Sequence, residues 1–129
     1  MSRTILVDRL LEFYNPFTSL DLPEEDVRDG LSYATTRSKY TEYEEDLDWH
    51  IGRIKFFVRE SRRGRALDPI EVACEVCNGT VYGPVLADGH HRLAAAKIAG
   101  SKTIKANFSG RTDVLDYLAG KRKYPPEDL

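Results

Sequence analysis

The run Val85–Gly100 (VLADGHHRLAAAKIAG) constrains the fold most. An apolar strand end meets Asp88-Gly89, and an alanine-rich helix closed by Gly100 follows without a linker. Strand and helix must therefore share one unit. A strand, a tight turn and a helix start together suit an anion. The unpaired N–H groups of the first turn and the helix dipole both favour negative charge there. The side chains sharpen the point, since His90, His91 and Arg92 put up to three cationic groups where the dipole is already positive. That conflict costs stability, and a bound phosphate removes it.

Upstream, Leu6, Leu10 and Phe13 form one stripe with Val7, Leu11 and Tyr14 beside it, which predicts a helix over residues 3–14 ended by Asn15-Pro16. Leu22-Pro23 followed by Glu24, Glu25 and Asp26 predicts a short second helix stopped by Gly30. Residues 31–40 show no period and read as a loop. Thr41 and Glu44 fit a capping box for a long helix to about Arg63. Leu47, Ile51, Ile54 and Val58 share its apolar face, and Gly64 caps it.

Asp68-Pro69 then turns the chain into strand, with Ile70, Val72, Cys74 and Val76 alternating against Glu71, Ala73 and Glu75. Asn78-Gly79 predicts a hairpin into a second strand from Thr80 to Ala87, where Pro84 marks an edge or a bulge. A third strand is expected from Thr103 to Phe108, and a last helix from Thr112 to Leu118 before Gly120. The basic, proline-bearing tail from Lys121 to Pro126 is expected to fray. The fold class expected is α+β, a small mixed β-sheet with flanking helices. One domain is expected over 1–129, with its core at about 41–120 and an N-terminal helical extension over 1–40.

At 129 residues, 41% hydrophobic and 31% charged, the chain has the balance of one globular domain with a modest core. Arg3, Asp8, Arg9 and Glu12 interrupt the apolar residues near the start, so neither a signal peptide nor a membrane span is expected. With two cysteines as well, a cytoplasmic, reduced protein is expected. A net charge of −2 excludes a globally basic nucleic-acid binder. The charge is nonetheless uneven. Residues 21–48 carry ten acidic and three basic side chains, and solvation is the simplest account of them. Residues 53–65 carry Arg53, Lys55, Arg59, Arg62, Arg63 and Arg65 against Glu60 alone. Such a segment can bind phosphate or a DNA backbone, and it can equally be the solvated last turn of a helix, where cations suit the dipole.

Asp88 can be a plain N-cap, or it can hold a magnesium ion that bridges phosphates or orient a histidine. Gly89 permits the turn and lets a ligand approach the backbone. His91 shares a helical face with Ala94, Ala95 and Ile98, which should pack on the sheet. It reads either as a buried histidine bonded to backbone or as a ligand contact. Arg92, always charged and bidentate, is the better phosphate partner, and His90 is the better candidate for acid–base work. Cys74-Glu75-Val76-Cys77 is a C-x-x-C without the second pair that a structural zinc site wants. No zinc is expected there, and core packing accounts for Cys74. No phosphate loop, dinucleotide fingerprint or G-x-S-x-G elbow is present.

From about His50 to Ser109 the chain resembles the ParB/sulfiredoxin-like superfamily. The resemblance is carried by Asp68-Pro69-Ile70-Glu71-Val72, Tyr82-Gly83-Pro84-Val85-Leu86, Asp88-Gly89-His90-His91-Arg92-Leu93-Ala94-Ala95-Ala96, Gly100 and the strand Ile104–Phe108. It implies a nucleotide phosphate held at the Gly-x-x-Arg helix start, by Gly89, His90, His91 and Arg92. Catalytic work would fall to His90 and Asp88, with Mg2+ accompanying the nucleotide at Asp88. The sulfiredoxin cysteine position is His90, which argues against that reducing chemistry. The Glu-Arg of the partition proteins is His90-His91. A related group of small-molecule kinases carries Asp-Gly-His-His-Arg, so hydrolysis and phosphoryl transfer are both compatible with the motif. The other readings are a small DNA-binding or nuclease-like accessory protein, of phage or plasmid type, using Arg59, Arg62, Arg63 and Arg65, and a non-catalytic interaction module.

Overall fold

The computed structural model describes residues 2–30, 42–77, 79–81 and 83–129; the side chains of 26, 29, 30, 42–48, 76, 77, 80 and 81 lie outside the description. The fold is mixed α+β. Its elements are β1 (Ser2–Leu6), α1 (Val7–Leu11), α2 (Pro16–Ser19), α3 (Glu24–Gly30), α4 (Glu42–Arg62), β2 (Ile70–Cys74), β3 (Val76–Cys77), β4 (Thr80–Val81), β5 (Val85–Asp88), α5 (His90–Ala99), β6 (Thr103–Gly110) and α6 (Thr112–Leu118). The main sheet has the order β1-β6-β2-β5. β6 lies parallel to β2 and antiparallel to β1, and β5 lies antiparallel to β2. The parallel β2–β6 pair needs a crossover, and α5 supplies it.

The expected N-terminal helix over 3–14 is a strand and a short helix instead. Ser2–Leu6 pairs antiparallel with β6, Ile5 opposite Ile104 and Leu6 opposite Thr103. The helical spacing holds only from Val7 onward, where the Val7 N–H closes the strand on the Lys102 carbonyl. Sheet pairing overrides the local period, and the β-branched Thr4 and Ile5 suit it. The first forty residues are therefore not a purely helical extension, because their first strand belongs to the main sheet. Asn15-Pro16 opens α2 rather than only ending a helix: the Asn15 Oδ1 accepts the Phe17 N–H at 3.0 Å, and proline takes the first helical position.

The remaining elements sit close to their expected places. α4 ends where the Gly64 N–H meets the Ser61 carbonyl and the Arg65 N–H meets that of Glu60. The expected loop over 31–40, Thr41 of the capping box, Asn78 and Tyr82 lie outside the described residues, and so do the side chains of Glu44 and Leu47. The hairpin at 78–79 is present as the β3–β4 pair, Val76 opposite Val81 and Cys77 opposite Thr80. The strand expected over Thr80–Ala87 is broken in two. Pro84 is buried between β4 and β5, and only β5 joins the main sheet.

Two clusters of buried side chains meet at α5. Leu93 and Ala96 pack with Ile5, Ile70, Val72 and Ile104 of the sheet. Ala94 and Ala95 pack instead with Ile54 and Val58 of α4 and with Phe17 and Val27. The face of α5 expected to lie on the sheet therefore lies on the helical layer, and the small alanines let α4 come close. The tail is tied down rather than frayed. Arg111 bridges Asp113 and Asp128, Arg9 donates to the carbonyls of Tyr117 and Arg122, and Leu129 packs on the core. Gly110 ends β6 at φ +112°, where an added Cβ would fall 2.0 Å from the Cys74 carbonyl oxygen.

Ile5 is fully buried in β1, whereas Thr4 is exposed. Ile5→Ala should cost roughly 2–5 kcal/mol in urea unfolding, and Thr4→Ala well under 1 kcal/mol. Equal costs at the two positions would contradict the strand.

Candidate anion site at the start of α5

Gly89 is the N-cap of α5, with φ +100° and ψ 26° and no side-chain cap. An added Cβ would lie 2.5 Å from the Ile70 Cγ2, so the glycine is demanded by the conformation and by the approach to β2 alike. Asp88 is not an N-cap, which removes the plainer of its two sequence readings. Its carboxylate is 71% exposed and pairs with Arg92, Nη2 to Oδ2 3.2 Å. No acidic residue stands in the first turn of α5.

Arg92 is only 13% exposed, and its fork is turned onto the protein. Nη1 donates to the carbonyls of Asp68 and Pro69, both at 2.8 Å. The guanidinium thus ties the turn before β2 to the start of α5. It positions the loop, and the fork expected to grip phosphate is already bonded to backbone.

The histidines behave differently. The chain has three, and all meet at this helix start. The His90 Nε2 lies 2.8 Å from the Tyr14 hydroxyl, which in turn accepts from the Ser19 Oγ at 2.6 Å. With Ser19 donating, the Tyr14 proton is available to Nε2. His91 Nε2 lies 2.7 Å from His50 Nδ1, with the two rings stacked at 5.0 Å and 16°. His91 is therefore a half-buried histidine bonded to a second histidine, and not to backbone. The Trp49 ring meets both imidazoles edge-on, at 5.0 and 5.5 Å. Burial, and after it the neighbouring His50, Arg53 and His90, push the His91 pKa down to about 4. His91 is thus neutral near pH 7 and adds no cation to the positive end of the helix.

Sequence reasoning missed Tyr14, Trp49 and His50. A usable signal existed for His50, which sits beside Ile51 and one turn before Ile54, on the margin of the buried stripe of α4. Nothing local pointed to Tyr14. The basic residues Arg59, Arg62, Arg63 and Arg65 are not part of this site. They lie exposed at the other end of α4, beside the C-terminal half of α5. A cavity of about 430 Å³ opens there, lined by Ser61, Arg65, Ala96, Ser101 and Lys105 among others. None of the three histidines lines it. Cys74 is buried in β2, and burial pushes its thiol pKa up. Among the described residues, no group of three or more His, Cys, Asp or Glu is arranged to hold a metal ion. None of the described helices is long and apolar enough to cross a membrane. Comparison of the chain with family models, with curated proteins and with solved structures finds no match.

Two outcomes follow. Arg92→Ala frees two carbonyls and a carboxylate, and should cost about 1–3 kcal/mol; Arg92→Lys should not restore it, because lysine lacks the fork. The second concerns pH. An unfolded His91 takes up its proton near pH 6.5 and the folded one resists it down to about 4, so stability should fall as pH drops from 6.5 toward 4. The loss should be about 1–3 kcal/mol after solvent screening. Glu24, held low by Lys97, and Asp113 and Asp128, held low by Arg111, add their own losses only below about pH 4.5. His91→Gln should flatten the melting temperature between pH 6.5 and 5. An unchanged slope would remove His91 as its source.

Proposed function

We propose that this chain binds a nucleoside phosphate at the start of α5, as a member of the ParB/sulfiredoxin-like superfamily. The observation that carries the reading is the meeting of all three histidines at an uncapped helix start whose first turn holds no acid. The N–H groups of that turn and the dipole attract the phosphate. His90, with Tyr14 and Ser19 behind it, directs its ring. The stacked His50–His91 pair, with His91 neutral, forms a wall on the α4 side.

Arg92 has a changed role in this reading. It holds the Asp68–Pro69 turn and the Asp88 carboxylate, and so fixes the loop that receives the ligand. A magnesium ion takes one or two carboxylates together with substrate oxygens, and Asp88 is the carboxylate beside the helix start. The ion would arrive with the nucleotide and would neutralise phosphate charge.

Thermal shift across nucleoside mono-, di- and triphosphates, with and without Mg2+, tests the proposal. A ligand at 100 times its Kd should add about 2.7 kcal/mol. His90→Ala should lose most of that shift while remaining folded, and Tyr14→Phe should weaken it less. Folded protein that shows no shift with any nucleotide would refute the proposal.

A further inference from the structure

The side of α4 opposite its buried stripe carries its own pattern. Ile54 and Val58 are buried. At one turn of 3.6 residues, Trp49, Arg53, Phe56, Arg59 and Arg63 fall on the far side, with Glu60 among them. All five are exposed, Trp49 by 57% and Phe56 by 56%. Trp49 touches His50 and His91 by its edge but keeps over half its surface in solvent, as Phe56 does, and two such rings on one helix face ask for a partner.

The charge indicates which partner. The guanidinium of Arg53 lies over the Trp49 ring at 5.2 Å and reaches Phe57 at 5.6 Å. Arg59 and Arg63 continue the row, and Arg62 flanks it. Over residues 49–63, Glu60 is the acid on this face, and it is bonded by Arg65 through Nη1 to both carboxylate oxygens at 3.1 Å. A row of cations interleaved with aromatic rings fits a polyanion that also presents flat π-faces. Trp49 and Phe56 are two turns apart, about 10 Å along the helix. We infer that this face of α4 binds single-stranded nucleic acid, with unpaired bases stacked on Trp49 and Phe56 and the backbone phosphates along Arg53, Arg59 and Arg63. A duplex keeps its bases stacked on each other and offers these rings nothing. The inference does not rest on the nucleotide reading of the α5 site, although Trp49 borders the His50–His91 pair as well.

Trp49 is the single tryptophan of the chain, so its fluorescence reports on this face and on the His50–His91 pair beside it, and a Phe56 variant separates the two. Titration with an oligothymidylate 12-mer at low salt should quench it. Phe56→Ala, which keeps the reporter, should weaken binding about fivefold to a hundredfold while leaving the nucleotide thermal shift intact. Arg59→Gln/Arg63→Gln should reduce the slope of log K against log salt by about 1.4. Circular dichroism checks that each variant is folded. No quenching by the oligonucleotide would overturn the inference. So would a duplex or polyglutamate binding as tightly as the single strand, which would mark a site for polyanions in general. Loss of the nucleotide shift with oligonucleotide binding retained would count against the α5 reading alone.

Discussion

The close approach of Gly89 to Ile70 sets where α5 begins, and much of the remaining geometry follows from it. A side chain at 89 would strike β2, and the left-handed backbone there would strain it. Once the turn is accepted, Arg92 stands one turn into the helix. There it spans from the Asp88 carboxylate to the carbonyls before β2. The guanidinium satisfies backbone acceptors that a loop of this kind would otherwise leave to water. Strand end, turn and helix start are thereby fixed to one another by a single side chain.

From that junction α5 passes between two layers. Its leucine and third alanine face the sheet, and its first two alanines face α4. Alanines bring little apolar area, but they let the α4 backbone come near. The same closeness sets His50 against His91 and Trp49 against both. The packing of small residues and the gathering of the histidines are one arrangement. The chemical consequence is a helix start bordered by imidazole rings, His91 among them held neutral, with the Asp88 carboxylate turned outward onto Arg92.

Where sequence reasoning succeeded, the reason was local. Gly64, Gly79, Gly89 and Gly100 are turn residues, and the elements they bound lie near their expected places. The alternation of Ile70, Val72 and Cys74 read as a strand because one face is buried. The failures share a different cause. Ser2–Leu6 is a strand only because β6, a hundred residues later, pairs with it. Arg92 looked like a free phosphate fork because the carbonyls it holds belong to Asp68 and Pro69, far upstream. His50 and Tyr14 enter the site through helix packing, which no spacing records. Pro84 signalled an interruption correctly, but not that the two halves would join different sheets.

The claim that the start of α5 receives a phosphate is tested most directly by nuclear magnetic resonance. The probes are the backbone amides of His90, His91 and Arg92 and the three imidazole rings. On titration with a nucleoside triphosphate and Mg2+, these amides and the His90 ring should shift together along one saturable curve, while amides at the far end of α5 stay in place. If nucleotide saturates the protein and those signals do not move, the phosphate lies elsewhere and the account is wrong.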